Sequence, residues 1–157
     1  MAILIDKLDA YEGQPEQAWA FRKNLAVREN GQIYSVSFMS EKQSAVYSVD
    51  GGIIKDKTIQ KCDKLILVEA ENCQITEIFV ELKGEDIRHA ISQVEATVNN
   101  ALFSDSSVIR RHARIIGRRI PRNTGNSITE KAKKRFISKY QCRLEFKTGP
   151  YNERFAM

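Results

Sequence analysis

The sequence predicts a mixed α/β domain, a central mixed β-sheet flanked by helices. Three observations carry that expectation. Two apolar runs, Asp63 to Ala70 and Thr76 to Lys83, are split by the polar break Glu71-Asn72-Cys73-Gln74, the pattern of a hairpin. From Glu85 to Leu102, the residues Ile87, Ala90, Ile91, Val94, Val98, Ala101 and Leu102 recur at helical i, i+3, i+4, i+7 spacing. Further strand and helix patterns then alternate, which points to helices packed on a sheet.

Element by element, Glu16 to Asn24, with Trp19 and Phe21 and following Pro15, reads as a short helix. Gln32 to Phe38 and Ser44 to Val49 alternate as two strands, and Asp50-Gly51-Gly52 signals a turn. After the hairpin, Gly84 precedes the amphipathic helix, whose first residues Glu85 and Asp86 suit its positive end. Arg114 to Ile120 reads as a buried strand ending at Pro121. Ser127-Ile128-Thr129-Glu130 is a capping-box pattern opening a second helix, which buries Ile128, Ala132 and Phe136 and exposes Lys131, Lys133, Lys134 and Arg135. Gln141 to Lys147 reads as a last strand before Gly149-Pro150.

The 157 residues are expected to form one domain, 1–157, and the 42% hydrophobic content is enough for a single core. No apolar run approaches the roughly 20 residues of a membrane span, and Met1 to Asp6 has no basic region ahead of an apolar stretch, so neither a membrane partner nor a secretory signal is expected. Three cysteines, Cys62, Cys73 and Cys142, show no metal spacing and read as reduced thiols of a cytoplasmic protein. The net charge of +5 is modest, but its excess is concentrated after Arg110.

The hairpin carries the chemistry. Successive strand side chains alternate faces, so Glu81 and Lys83 share one face while Ile78, Val80 and Leu82 share the other. If the turn centres on Asn72 or Cys73, Asp63 lies opposite Glu81 or Lys83. Directly opposed residues have Cβ atoms roughly 4.5–5.5 Å apart, so two carboxylates and a lysine would converge. A one-residue slip would send Asp63 to the other face.

Asp63, a hairpin, then Glu81-Leu82-Lys83 resembles the core signature of the PD-(D/E)XK nuclease superfamily, with Cys62 at the motif's nominal proline. The resemblance covers Asp63 to Gln93 and extends to about Lys147 in element order. It implies a restriction endonuclease-like α-β-β-β-α-β core and Mg²⁺- or Mn²⁺-dependent hydrolysis of phosphodiester bonds, in DNA or also in RNA. By the same resemblance Asp63, Glu81 and the backbone carbonyl of Leu82 hold the metal, Lys83 assists catalysis, and Gln93 on the following helix supports the site. An N-terminal acid, Glu29 or Glu41, would complete the metal site in some members. A second Glu-x-Lys, Glu145-Phe146-Lys147, lacks an upstream Asp-led hairpin and is set aside.

These residue types suit the reaction. Two carboxylates repel each other until a cation binds, and magnesium usually takes one or two carboxylates plus water and phosphate oxygens. Arg110, Arg111, Arg114, Arg118, Arg119 and Arg122, followed by Lys131 and Lys134, suit a phosphate backbone. Arg114, Arg118 and Arg122 would share one face of a continuous strand. His89 is expected to face solvent. The small size leaves little room for a sequence-reading domain, so structure- or partner-directed cutting in defence or repair is expected, as a homodimer or in a larger complex. Two other readings stay open: an inactive nuclease-fold module that binds nucleic acid or a protein, and an interaction protein whose basic face meets an acidic partner.

Overall fold

The structure is a computed structural model and describes residues 8, 15–70, 73–82, 86–120 and 127–156. Seven strands form one mixed sheet: β1 (Gln17–Glu29), β2 (Gln32–Ser48), β3 (Lys64–Glu69), β4 (Ile75–Leu82), β5 (Val108–Gly117), β6 (Cys142–Thr148) and β7 (Tyr151–Phe155). Two helices are α1 (Ile87–Val98) and α2 (Ile128–Tyr140). The sheet order is β1-β2-β3-β4-β5-β6, with β7 beside β2. The first four strands pair antiparallel, while β4, β5 and β6 are parallel and joined through α1 and α2. The mixed α/β class expected from the sequence is observed.

Both helices lie on one face. Ile87, Ala90, Ile91, Val94 and Val98 of α1 and Ala132 and Phe136 of α2 pack with Leu65, Leu67, Phe79, Ala113 and Leu144 of the sheet, and the helical residue Leu8 joins this core. The other face is covered by strands, not by a described helix. Leu25, Val27, Tyr34, Val36 and Phe38 of β1 and β2, with Phe155 of β7, pack on Ile66, Val68, Ile78, Val80, Leu82 and Ile116. The expectation of helices flanking both faces is thus corrected.

The covering is possible because β1 curls back on itself. Its pairing with β2 slips between Arg22↔Lys42 and Asn24↔Ser37, and such bulges bend a strand. Gln17 Nε2 donates to the carbonyl of Ala26 at 2.8 Å, within the same strand. Glu16 and Glu29, at its two ends, both reach the buried Lys64, at 2.6 and 3.3 Å.

Local signals explain most boundaries and most errors. Glu16–Asn24 is strand, not helix. Asn30 and Gly31, both at positive φ (51° and 74°), form the two-residue turn that sets Glu29 opposite Gln32, and this pairing overrides a weak helical pattern. β2 is one strand where two were expected. β5 begins at Val108 rather than Arg114 and ends at Gly117, and β7 was not foreseen. Helix α1 opens with Asp86 accepting from His89 N and stops at Val98. There Asn100 caps a separate 3₁₀ turn, Ala101–Phe103, by accepting from Leu102 N. The expected Ser127 cap forms, accepting from Glu130 N at 3.2 Å.

Candidate active site

Strands β3 and β4 pair in a register that sets Lys64 opposite Val80, Leu65 opposite Phe79 and Ile66 opposite Ile78. Carried one residue further, that register sets Asp63 opposite Glu81, one of the two partners the sequence left open. The Asp63 carboxylate accepts the backbone N–H of Leu82 through Oδ2 at 2.8 Å. Asp63 is half-buried and Glu81 fully buried, at the end of a strand whose eight residues are all buried. Alternation puts Glu81 with Phe79 on the helix-bearing face, while Val80 and Leu82 belong to the other core. Lys83 lies outside the described residues.

Helix α1 is fastened to the segment that leads into β3. The amide of Cys62 donates to Thr97 Oγ1 at 2.8 Å, and that hydroxyl donates to the carbonyl of Gln93 at 3.0 Å. Gln93 Nε2 donates to the carbonyl of Lys61 at 3.3 Å. Gln93 is therefore placed two residues from Asp63. Burial pushes the Cys62 thiol far above its ordinary pKa, and the charges of Glu81 and then Asp63 push it the same way.

Beside Gln93 lies a hollow of about 260 Å³ lined by Asp50, Lys57, Thr58, Ile59, Lys61 and His89 among others. His89 is exposed, as expected, yet it shares this wall with Gln93 one helical turn on. That i, i+4 relation was available in the sequence. The loop residues Lys57 and Lys61 gave no such signal, because the loop is placed by contacts. The ammonium of Lys61 donates to the carbonyls of Asp56 and Ile59 at 2.8 Å each.

The Leu82 carbonyl accepts from Asn30 Nδ2 at 3.1 Å, so the β1–β2 turn reaches the end of β4. Asn30 was not singled out from sequence, although Asn-Gly is a strong hairpin signal. Of the two acids considered for completing a metal site, Glu29 pairs with Lys64, which follows Asp63 and by alternation points to the opposite face. Glu41 lies seven positions before Ser48, the β2 partner of Lys64, hence roughly 23 Å along the strand. Neither joins Asp63 and Glu81.

Among the described residues, no group of three or more His, Cys, Asp or Glu gathers to hold a metal. Asp63 and Glu81 are an all-oxygen pair, a donor set that fits magnesium or manganese completed by water and substrate oxygens, and fits zinc poorly. Asn30 occupies one of the two lone pairs of the Leu82 carbonyl.

The basic residues do not form the single row expected. Arg114 is buried, and its guanidinium grips Glu153 through two bonds of 2.7 and 2.8 Å while Tyr34 donates to the same carboxylate at 2.9 Å. Arg111 is turned inward to the fully buried Glu77 at 2.9 Å and to the carbonyl of Val98 at 2.8 Å. Both are structural cations, held by the fully buried Glu77 and the half-buried Glu153. The strand ends at Gly117, so Arg118 no longer continues the face of Arg114; Arg122 lies outside the described residues. Arg110, Arg118, Arg119, Lys131 and Lys134 are exposed, but they are not one patch. Arg118 and Arg119 follow the carboxyl end of β5, two rungs beyond Leu82↔Ile116, whereas Arg110 pairs with Thr76 at the opposite end.

No protein-family model, curated protein or solved structure matches this chain.

Proposed function

We propose that this chain is a metal-dependent nuclease that hydrolyses phosphodiester bonds in DNA, with a restriction endonuclease-like α-β-β-β-α-β core. The observation that carries the reading is the register of β3 and β4, which extended by one residue sets Asp63 opposite Glu81 at the end of the ladder. The antiparallel run β2–β3–β4, followed by α1 and the parallel β5, supports it, as does the position of the acids at the carboxyl end of β4, where open α/β sheets bind ligands. Three free cysteines and the absence, among the described residues, of a helix long and apolar enough to cross a membrane accord with action in the cytoplasm.

A magnesium or manganese ion, when bound there, would supply charge neutralisation on the scissile phosphate and a more acidic attacking water. Asp63 and Glu81 would hold it through their carboxylates, with the Leu82 carbonyl as a third oxygen. Lys83 orients the water and offsets charge developing on the phosphoryl group, the type of electrostatic assistance that is often the largest catalytic contribution. Gln93 fixes the segment ahead of Asp63 and presents an amide beside the hollow where the next nucleotide lies. Arg118 and Arg119 hold the backbone.

A second reading, a nuclease-fold module that binds nucleic acid or a protein without turnover, is favoured by one observation: Asn30 already engages the Leu82 carbonyl. Supercoiled plasmid, single-stranded DNA and RNA, each incubated with Mg²⁺ or Mn²⁺, separate the two. Cleavage by the wild type that disappears in Asp63→Asn, Glu81→Gln and Lys83→Ala while DNA binding persists supports the enzyme. No cleavage of any of these by the wild type leaves the module.

A further inference from the structure

We propose that β6 pairs edge to edge with the β6 of a second copy of this chain, antiparallel, with a twofold axis through Leu144. The inference does not depend on the nuclease reading. β6 ends the strand order, and among the described residues nothing pairs with its outer side. Its phase is fixed by the bond from Gly149 N to the carbonyl of Gly117 at 3.0 Å and by a register with β5 that runs without a shift from Arg111↔Cys142 to Gly117↔Thr148. Backbone groups alternate sides along a strand. Those of Arg143, Glu145 and Lys147 therefore point to β5, and those of Cys142, Leu144 and Phe146 point out of the sheet.

An antiparallel partner centred on Leu144 uses that outward set. Leu144 then exchanges two backbone bonds with Leu144 of the second copy, and Cys142 does so with Phe146. Arg143 falls opposite Glu145 of the second copy, twice by symmetry, in the closer non-hydrogen-bonded pairs where opposite charges attract. The Arg143 side chain is exposed. Glu145 is held at the edge by Lys133 of α2 at 3.3 Å. One turn beyond Lys133, Ile137 is 50% exposed and lines a hollow with Arg143 and Gln141. A twofold axis normal to the sheet keeps both copies of α2 on one face and brings the exposed Ile137 side chain toward the seam. Charges on an edge strand also serve to repel other chains. Here their order, Arg-x-Glu about an outward Leu, is self-complementary.

Sedimentation equilibrium of the full chain tests this. The wild type is expected at twice 17.9 kDa. Arg143→Glu and Glu145→Arg should each weaken association by at least about tenfold, since each sets like charges opposite one another. The double swap should restore it, and so should mixing the two single variants, whose opposed charges again match. Circular dichroism checks that each variant is folded. A wild type that is monomeric at about 100 μM overturns the proposal. So do single variants that associate as tightly as wild type, or a loss that neither the double swap nor the mixture reverses.

Discussion

Asp63 Oδ2 accepts the backbone N–H of Leu82 at 2.8 Å, so the first acid of the site is tied to the residue that follows the second. The bond closes the open end of the β3–β4 hairpin, just where the ladder stops. Asp63→Asn keeps an oxygen acceptor and removes the charge, whereas Asp63→Ala removes both. The asparagine variant should unfold at nearly the wild-type urea midpoint yet lose cleavage by at least about 10²-fold. The alanine variant should lose in addition about 1–2 kcal/mol of stability, because a backbone donor is left unmade. Equal destabilisation by both would show that the charge, not the hydrogen bond, holds the hairpin end.

Gln93 reaches the site through the carbonyl of Lys61 and, by way of the Thr97 hydroxyl, through the amide of Cys62. Gln93→Ala is therefore expected to lower turnover about 10–100-fold, as loss of a supporting residue does, with little change in unfolding. His89, on the same wall one turn earlier, should affect KM more than kcat when replaced by alanine. Steady-state kinetics on a cleaved oligonucleotide read both.

Within the late basic segment the exposed arginines Arg110, Arg118 and Arg119 lie at two ends of β5, and Asp63 and Glu81 lie at the end of Arg118 and Arg119. The pair Arg118→Glu with Arg119→Glu should weaken DNA binding and reduce the salt slope by about one per lost phosphate contact. Arg110→Glu should leave the slope close to wild type. Fluorescence anisotropy across a salt series decides; equal effects from both ends would mean that the DNA path runs the length of the strand.

The buried Arg114 and the half-buried Glu153 form the ion pair that ties β7 to β5. Burial alone would raise the Glu153 carboxyl, but the hydrogen bonds and charge of Arg114, with the Tyr34 hydroxyl, hold it below the usual carboxylate range. Its stabilisation is thus complete above the pKa of the unfolded chain and is lost as pH falls through the lower folded value. Glu153→Gln should cost on the order of 3 kcal/mol at neutral pH, since it leaves a buried guanidinium without its counter-charge. It should also flatten the steepest acid limb of a urea-midpoint profile.

His112 lies against Phe155, ring centroids 5.0 Å apart. Burial first, then the neighbouring Arg114, lowers its pKa from 6.5 to about 4. The unfolded chain takes up this proton before the folded one, so stability should decline as pH falls from about 6.5 toward about 4. His112→Gln should remove that decline and leave the limb of Glu153 at lower pH. An NMR titration in which the His112 ring protonates near 6.5 would contradict the buried placement.

Much of the candidate site was legible because it is local. The polar break, the two apolar runs and the period-two alternation fix which residues of one hairpin can meet and narrow the partner of Asp63 to Glu81 or Lys83; the observed register, Lys64 opposite Val80, selects Glu81. The helical spacing from Ile87 to Val98 placed Gln93 just as directly. The fate of the arginines could not be read this way. Arg111, Arg114 and Arg118 look alike in sequence, and what separates them is Glu77 on a neighbouring strand, Glu153 on a strand added at the chain's end, and the point where β5 stops. The same holds for β1. Its alternation is broken by a bulge, and it becomes a strand because Asn30-Gly31 folds it onto β2, which then bends it over the sheet. Side-chain period is a property of neighbours along the chain, so the sequence by itself determined the mixed α/β class and the two candidate partners of Asp63. Partnering of charges and coverage of a sheet face depend on residues brought together across the chain, and those only the tertiary structure decided.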